Sequence, residues 1–150
     1  MSFVGVVQST DEIAQCLQPG LQALGANRSK ISVKSTRDLQ GSVDVDACVA
    51  KNYPQDPRWD YVFGYKDHIF YVEVHPSTAR EVKVIIAKLH WLHQWQKRSA
   101  KKLDALQHRS SYHWISSGKT AITKGSKYGR ILAKHGIAGP SSTLKADSFI

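Results

Sequence analysis

The chain has 150 residues, 41% of them hydrophobic and 22% charged, which is enough for one domain with a real core and too short for two ordinary ones. Its longest apolar runs fall far below the roughly 20 residues of a membrane span, so no membrane contact is expected. The net charge of +9 is unevenly placed, with ten Lys and Arg against ten Asp and Glu in residues 1–96 and eleven against two in residues 97–150. A basic block of this kind points to a polyanion partner, most often nucleic acid.

The N-terminal residues lack the basic region and small-residue cleavage site of a secretory signal, so a cytoplasmic location is expected. Residues 11–24 carry Ile13, Ala14, Leu17, Leu21 and Leu24 at helical spacing, interrupted by Pro19-Gly20, and predict a short helix, a turn and a second short piece. Cys16 and Cys48 lack CxxC spacing and each sits in an apolar pattern. They read as buried free thiols rather than a disulfide or a zinc site. A short strand is expected at residues 31–33. Residues 41–52 open with a helix-start signal and place Val45, Cys48 and Val49 on one face. Asp44 and Asp46 near that start suit the helix dipole, and a third carboxylate for a metal is the sharper alternative.

The strongest local signal is residues 58–75, two runs dense in aromatic and β-branched side chains separated by Lys66-Asp67. They predict a β-hairpin with a two-residue turn. If Lys66 and Asp67 are the loop, Tyr65 faces His68 and Asp60 faces Glu73. The period of two adds His75 to the Glu73 face and turns Trp59, Tyr61, Phe63, Phe70, Val72 and Val74 to the other. Like charges opposite each other destabilise a ladder, so both are solvated or a cation lies between them. A divalent metal is the candidate cation, and an exposed, solvated face is the plainer alternative.

After His75-Pro76 comes the longest expected helix, with Thr78 and Glu81 as a capping box and a stripe of Val82, Ile85, Ile86, Leu89 and Leu92. It ends near Arg98 and packs across the sheet. His90 and His93 have the spacing of paired metal ligands but no evident third ligand, and the stripe explains their neighbourhood. Residues 111–115 read as a strand. The following Gly118-Lys119-Thr120 fails as a P-loop because His113 stands where the motif requires its first glycine. A short helix around residues 127–135 stops at Gly136, and the rest reads as loosely ordered.

The order helix, hairpin, long helix, strand, with Asp60 on one hairpin strand and Glu73-Val74-His75 on its partner, resembles the PD-(D/E)XK nuclease superfamily over about residues 42–115. The resemblance implies a restriction-endonuclease-like α/β fold, a mixed central sheet with a β-hairpin core flanked by helices. By length and charge the chain reads as a single domain, with a core at about residues 31–115 and a basic C-terminal segment at 116–150. The implied catalytic residues are Asp60, Glu73 and His75. The implied metal ligands are Asp60, Glu73, Asp44 and Asp46, holding Mg²⁺ or Mn²⁺ for cleavage of DNA or RNA, with nucleic acid gripped by the basic segment. His75 replaces the family's lysine and supplies no permanent cation at neutral pH. A lysine migrated to another element, from among Lys51, Lys83 and Lys88, would compensate. The alternative is a catalytically inactive module of the same fold that binds nucleic acid, or a protein partner through exposed Trp91 and Trp95.

Overall fold

The hairpin adopts the register that a two-residue turn dictates. In the computed structural model, which describes residues 1–150, β3 (Tyr61–Tyr65) and β4 (His68–His75) pair antiparallel with Tyr65 opposite His68 and Tyr61 opposite Val72. Lys66 and Asp67 both take positive φ, 50° and 64°, the pair of left-handed residues that matches a tight turn to the twist of its strands. Upstream, β2 (Leu39–Asp44) pairs antiparallel with β3. Downstream, β5 (Ser110–Ser116) pairs parallel with β4, and β6 (Ile137–Ser141) parallel with β5. The result is a mixed five-stranded sheet in the order β2-β3-β4-β5-β6.

Parallel neighbours need crossovers, and helices supply them. The link from β4 to β5 contains α3 (Glu81–Ser99) and the short α4 (Lys101–Asp104), and the link from β5 to β6 contains α5 (Lys127–Lys134). A helix at the N-terminus, α1 (Phe3–Gln8), buries Phe3, Val6 and Val7. It lies close because Gly64 has no side chain: a Cβ there would stand 2.6 Å from Phe3 Cγ. The remaining elements are α2 (Val45–Val49) and a small parallel pair formed by β1 (Ile31–Ser32) and β7 (Leu144–Lys145). No helix is long and apolar enough to cross a membrane.

Both faces of the hairpin are buried. Val62, Ile69 and Tyr71 pack with Val82, Ile85, Leu89 and Leu92 of α3 in the larger core cluster. Phe63, Phe70, Val72 and Ile115 pack with Leu24, Ile31 and Leu144 in the smaller one. The acidic face is therefore covered by a helix, and Trp59, just before β3, belongs with that face rather than with Phe70.

Several local expectations change. Residues 11–24 form short 3-10 turns, because Pro19 and Gly20 leave too few residues for a stable helix. The expected helix start at residue 41 is strand β2, and the helix begins only at Val45, with Asp44 as its cap. Thr78 does not cap α3, whose N-cap Arg80 makes no side-chain cap bond. Cys16 and Cys48 form a disulfide rather than two free thiols. Trp91 and Trp95 are stacked and buried, with indole N–H groups donating to Asp56 and Glu12, so they offer no exposed aromatic surface. The basic C-terminal third is not a loose appendage. It supplies α5, the edge strand β6 and β7, and its Ile122, Leu132 and Ile137 enter the main core.

Candidate active site

Asp60, just before β3, and Glu73, on β4, face each other where the hairpin ladder opens, and each holds the other's segment. The Asp60 amide donates to Glu73 Oε2 at 2.7 Å, and the Val74 amide donates to Asp60 Oδ2 at 3.0 Å. Each carboxylate thereby spends one oxygen on backbone. The remaining two oxygens converge on a single cation: Lys88 Nζ of α3 lies 2.6 Å from Glu73 Oε1 and 3.2 Å from Asp60 Oδ1. Glu73 Oε1 has no other partner. The cation required between opposed acids is thus supplied by a lysine ammonium.

Burial sets the energetics of this cluster. The Glu73 side chain is fully buried, while Lys88 and Asp60 are 13% and 19% exposed, so the cluster opens to solvent on the Asp60 side. Burial, followed by the Asp60 charge, pushes the Glu73 carboxyl well above the usual carboxylate range, against the opposing pull of Lys88. Burial alone would depress Lys88, but the charges of Glu73 and Asp60 outweigh it and hold the ammonium charged. Two carboxylates share one ammonium, so the cluster has surplus negative charge and attracts a further cation, either a proton or a metal ion.

The other expected site residues lie around this centre. Asp44 Oδ1 caps α2 by accepting from the Ala47 amide at 2.9 Å, and burial followed by the Asp46 and Asp60 charges raises its carboxyl. Asp46 Oδ1 is paired with Arg58 Nε at 2.8 Å. The Val45 and Asp46 amides at the start of α2 both donate to the Asp60 carbonyl, which ties this helix to the acid pair through the main chain. His75 Nε2 lies 2.7 Å from Glu81 Oε2 at the start of α3, and makes no ion pair with Asp60 or Glu73. The cation beside the acids comes from Lys88 rather than from position 75. No group of three or more His, Cys, Asp or Glu side chains is arranged to hold a metal ion.

Of the three lysines named as donors, only Lys88 pairs with the acids. A sequence signal for it exists. Glu81, Ile85, Lys88, Leu92 and Trp95 follow the alternating 4, 3, 4, 3 spacing of a helix seam that faces a core. A lysine in such a seam needs a buried acid opposite, and Glu73 is the acid on the covered strand. Comparisons with protein-family models, with curated proteins and with solved structures find no match to this chain.

Proposed function

We propose that the chain is a metal-dependent nuclease of the PD-(D/E)XK type, hydrolysing phosphodiester bonds of DNA or RNA at Asp60, Glu73 and Lys88. The observation that carries this reading is the convergence of Lys88, from the crossover helix, on the two free carboxylate oxygens of the hairpin. It supplies from another element the cation that position 75 lacks. The donor type suits Mg²⁺ or Mn²⁺, which prefer hard carboxylate oxygens, and an ion would take these two oxygens in exchange for the Lys88 ammonium that now holds them. Asp60 and Glu73 would hold the ion, with the Asp44 carboxylate adding to the negative field and Asp46 spent on Arg58. When bound, such an ion polarises phosphate and lowers the pKa of attacking water.

In this reading the chain's own groups divide the task. Asp60, the more exposed of the two acids, orients whatever binds at the open side, while buried Glu73 accepts from the Asp60 amide and keeps the pair in place. The Lys88 ammonium neutralises the developing negative charge on phosphate. The largely exposed lysines and arginines of residues 97–150 supply the attraction for a polyanion. The test is incubation of purified protein with single- and double-stranded DNA and RNA in Mg²⁺ or Mn²⁺. Cleavage is expected from wild type and lost by about a hundredfold or more in Asp60→Asn and Lys88→Gln. Equal cleavage by wild type and Glu73→Ala would identify contamination and end the proposal.

A second reading is favoured by the same ion pairs. Lys88 already occupies both acid oxygens that backbone leaves free, as it would in a module that binds nucleic acid without cutting it. That module shows binding that falls steeply with salt and survives Asp60→Asn, with no cleavage under any metal condition.

A further inference from the structure

A second site lies away from the acid cluster, at the edge of the sheet formed by β6. A cavity of about 680 Å³ is bounded by β6, the segment before α5 and the C-terminal turn. It wraps the β6 edge, lined by buried Ile122 and Ile137 from the main core and by buried Ile115 and Leu144 from the smaller one. Lys124 and Lys145 border it and are exposed to solvent. One buried polar side chain also lines it: His113, 2% exposed.

His113 is held from two sides. Its Nε2 lies 2.6 Å from Ser111 Oγ, and the Phe149 ring stands edge-on to it with centroids 4.5 Å apart. Ser111 Oγ also lies 2.9 Å from His68 Nε2, so one hydroxyl serves two imidazoles. A hydroxyl that donates to one imidazole accepts from the other. When Ser111 donates to His113 Nε2, the His113 proton sits on Nδ1, which then offers an N–H donor although the ring is neutral. Burial keeps the ring neutral, lowering His113 to about 4.

We propose that this cavity binds a small organic anion with an apolar body, of which a medium-chain carboxylate is the simplest case. The body lies against the isoleucine and leucine side chains, the carboxylate meets Lys124 and Lys145 at the mouth, and buried His113 forms part of the inner wall. Burial of the chain supplies affinity and the cations supply the preference for an anion over a neutral amphiphile. The proposal shares no residue with the acid cluster, and it gives Lys124 and Lys145 a role beyond the general attraction for a polyanion.

The experiment is an NMR titration of the full chain, ¹⁵N-labelled, with octanoate, using 1-octanol as the neutral body and acetate as the head alone. Octanoate is expected to bind saturably, with shifts centred on residues 113–115, 122–124 and 137–149. Octanol and acetate should each bind at least about fivefold more weakly. The exposed double variant Lys124→Gln/Lys145→Gln should lose about fivefold in octanoate affinity with its fold unchanged. Ala138→Leu, which places bulk beside His113 on the paired strand, should lose binding as well. Absence of saturable octanoate binding overturns the proposal. So does octanol binding as tightly as octanoate, or octanoate binding unchanged in the double lysine variant.

Discussion

Replacing Lys88 by Met removes the cation while keeping most of the side chain's length, and so isolates its charge. Lys88 Nζ lies within 3.2 Å of one free acid oxygen and 2.6 Å of the other, so without it two carboxylates face each other with nothing between. Two unit charges roughly 6 Å apart repel by about 3 kcal/mol at an effective dielectric near 20. Removing one partner of a buried ion pair costs about 3–5 kcal/mol in other proteins, which agrees. Lys88→Met is therefore expected to lose about 3 kcal/mol of stability near pH 8, or about 10 °C in Tm for a chain of this size. Protonation offers an escape, because burial and the Asp60 charge already favour the neutral form of Glu73. The loss should shrink as pH falls toward 5, and adding Glu73→Gln to the variant should recover much of it at pH 8. Urea unfolding of the single and double variants at pH 5.5 and 8 measures this. A loss under about 1 kcal/mol that is independent of pH would refute Lys88 as the neutralising cation.

Two further outcomes follow from the same structure. Reduction of the Cys16–Cys48 disulfide, which spans 32 residues, is expected to lower stability by about 3–4 kcal/mol in the chain-entropy account. Calorimetry with and without reductant reads this, and two free thiols in the unreduced native protein would contradict it. The raised Glu73 carboxyl means that the folded chain retains a proton which the unfolded chain has released. Stability contributed by that proton is lost as pH rises from the ordinary carboxylate range through the folded Glu73 value, and Glu73→Gln should flatten that part of the stability profile. A profile of the same slope in wild type and Glu73→Gln would contradict it.

The hairpin was legible because its signals are local: a two-residue turn, alternating side chains, and a register that follows from counting. Asp60 meets Glu73 for that reason alone. The β2 strand was not legible, since Gly41 and Ser42 interrupt its pattern and its partners are 17 to 26 residues away. The β6 strand was hidden similarly, as Gly139 and Pro140 read as a loop while their pairing with β5 is set by tertiary contact. The cystine lies beyond spacing rules, because its pairing depends on where α2 comes to rest. The cystine runs against the cytoplasmic location expected from the N-terminal residues, since persistent disulfides are commonest in oxidising compartments. Lys88 was legible in kind but not in place: the sequence called for a cation and offered several lysines, and packing of α3 selected one.

That selection rests on matching lengths. On β4, His75 and Glu73 are two residues apart, about 7 Å along the strand. On α3, Glu81 and Lys88 are seven residues apart, about 10.5 Å along the helix. The helix returns antiparallel to the strand, so that Glu81 meets His75 and Lys88 meets Glu73. The surplus of about 4 Å is spanned by the long lysine stem, which a shorter cation would not bridge. Two charged positions in an otherwise apolar seam thus fix where α3 sits along β4, since a shift by one turn would leave both acids and both bases facing apolar neighbours. The feature that makes the cluster chemically interesting therefore also places the helix. Loss of activity in Lys88→Gln alone does not separate a chemical role from a displaced helix, whereas Asp60→Asn, at the solvent-facing edge of the cluster, leaves the Glu73 to Lys88 contact in place.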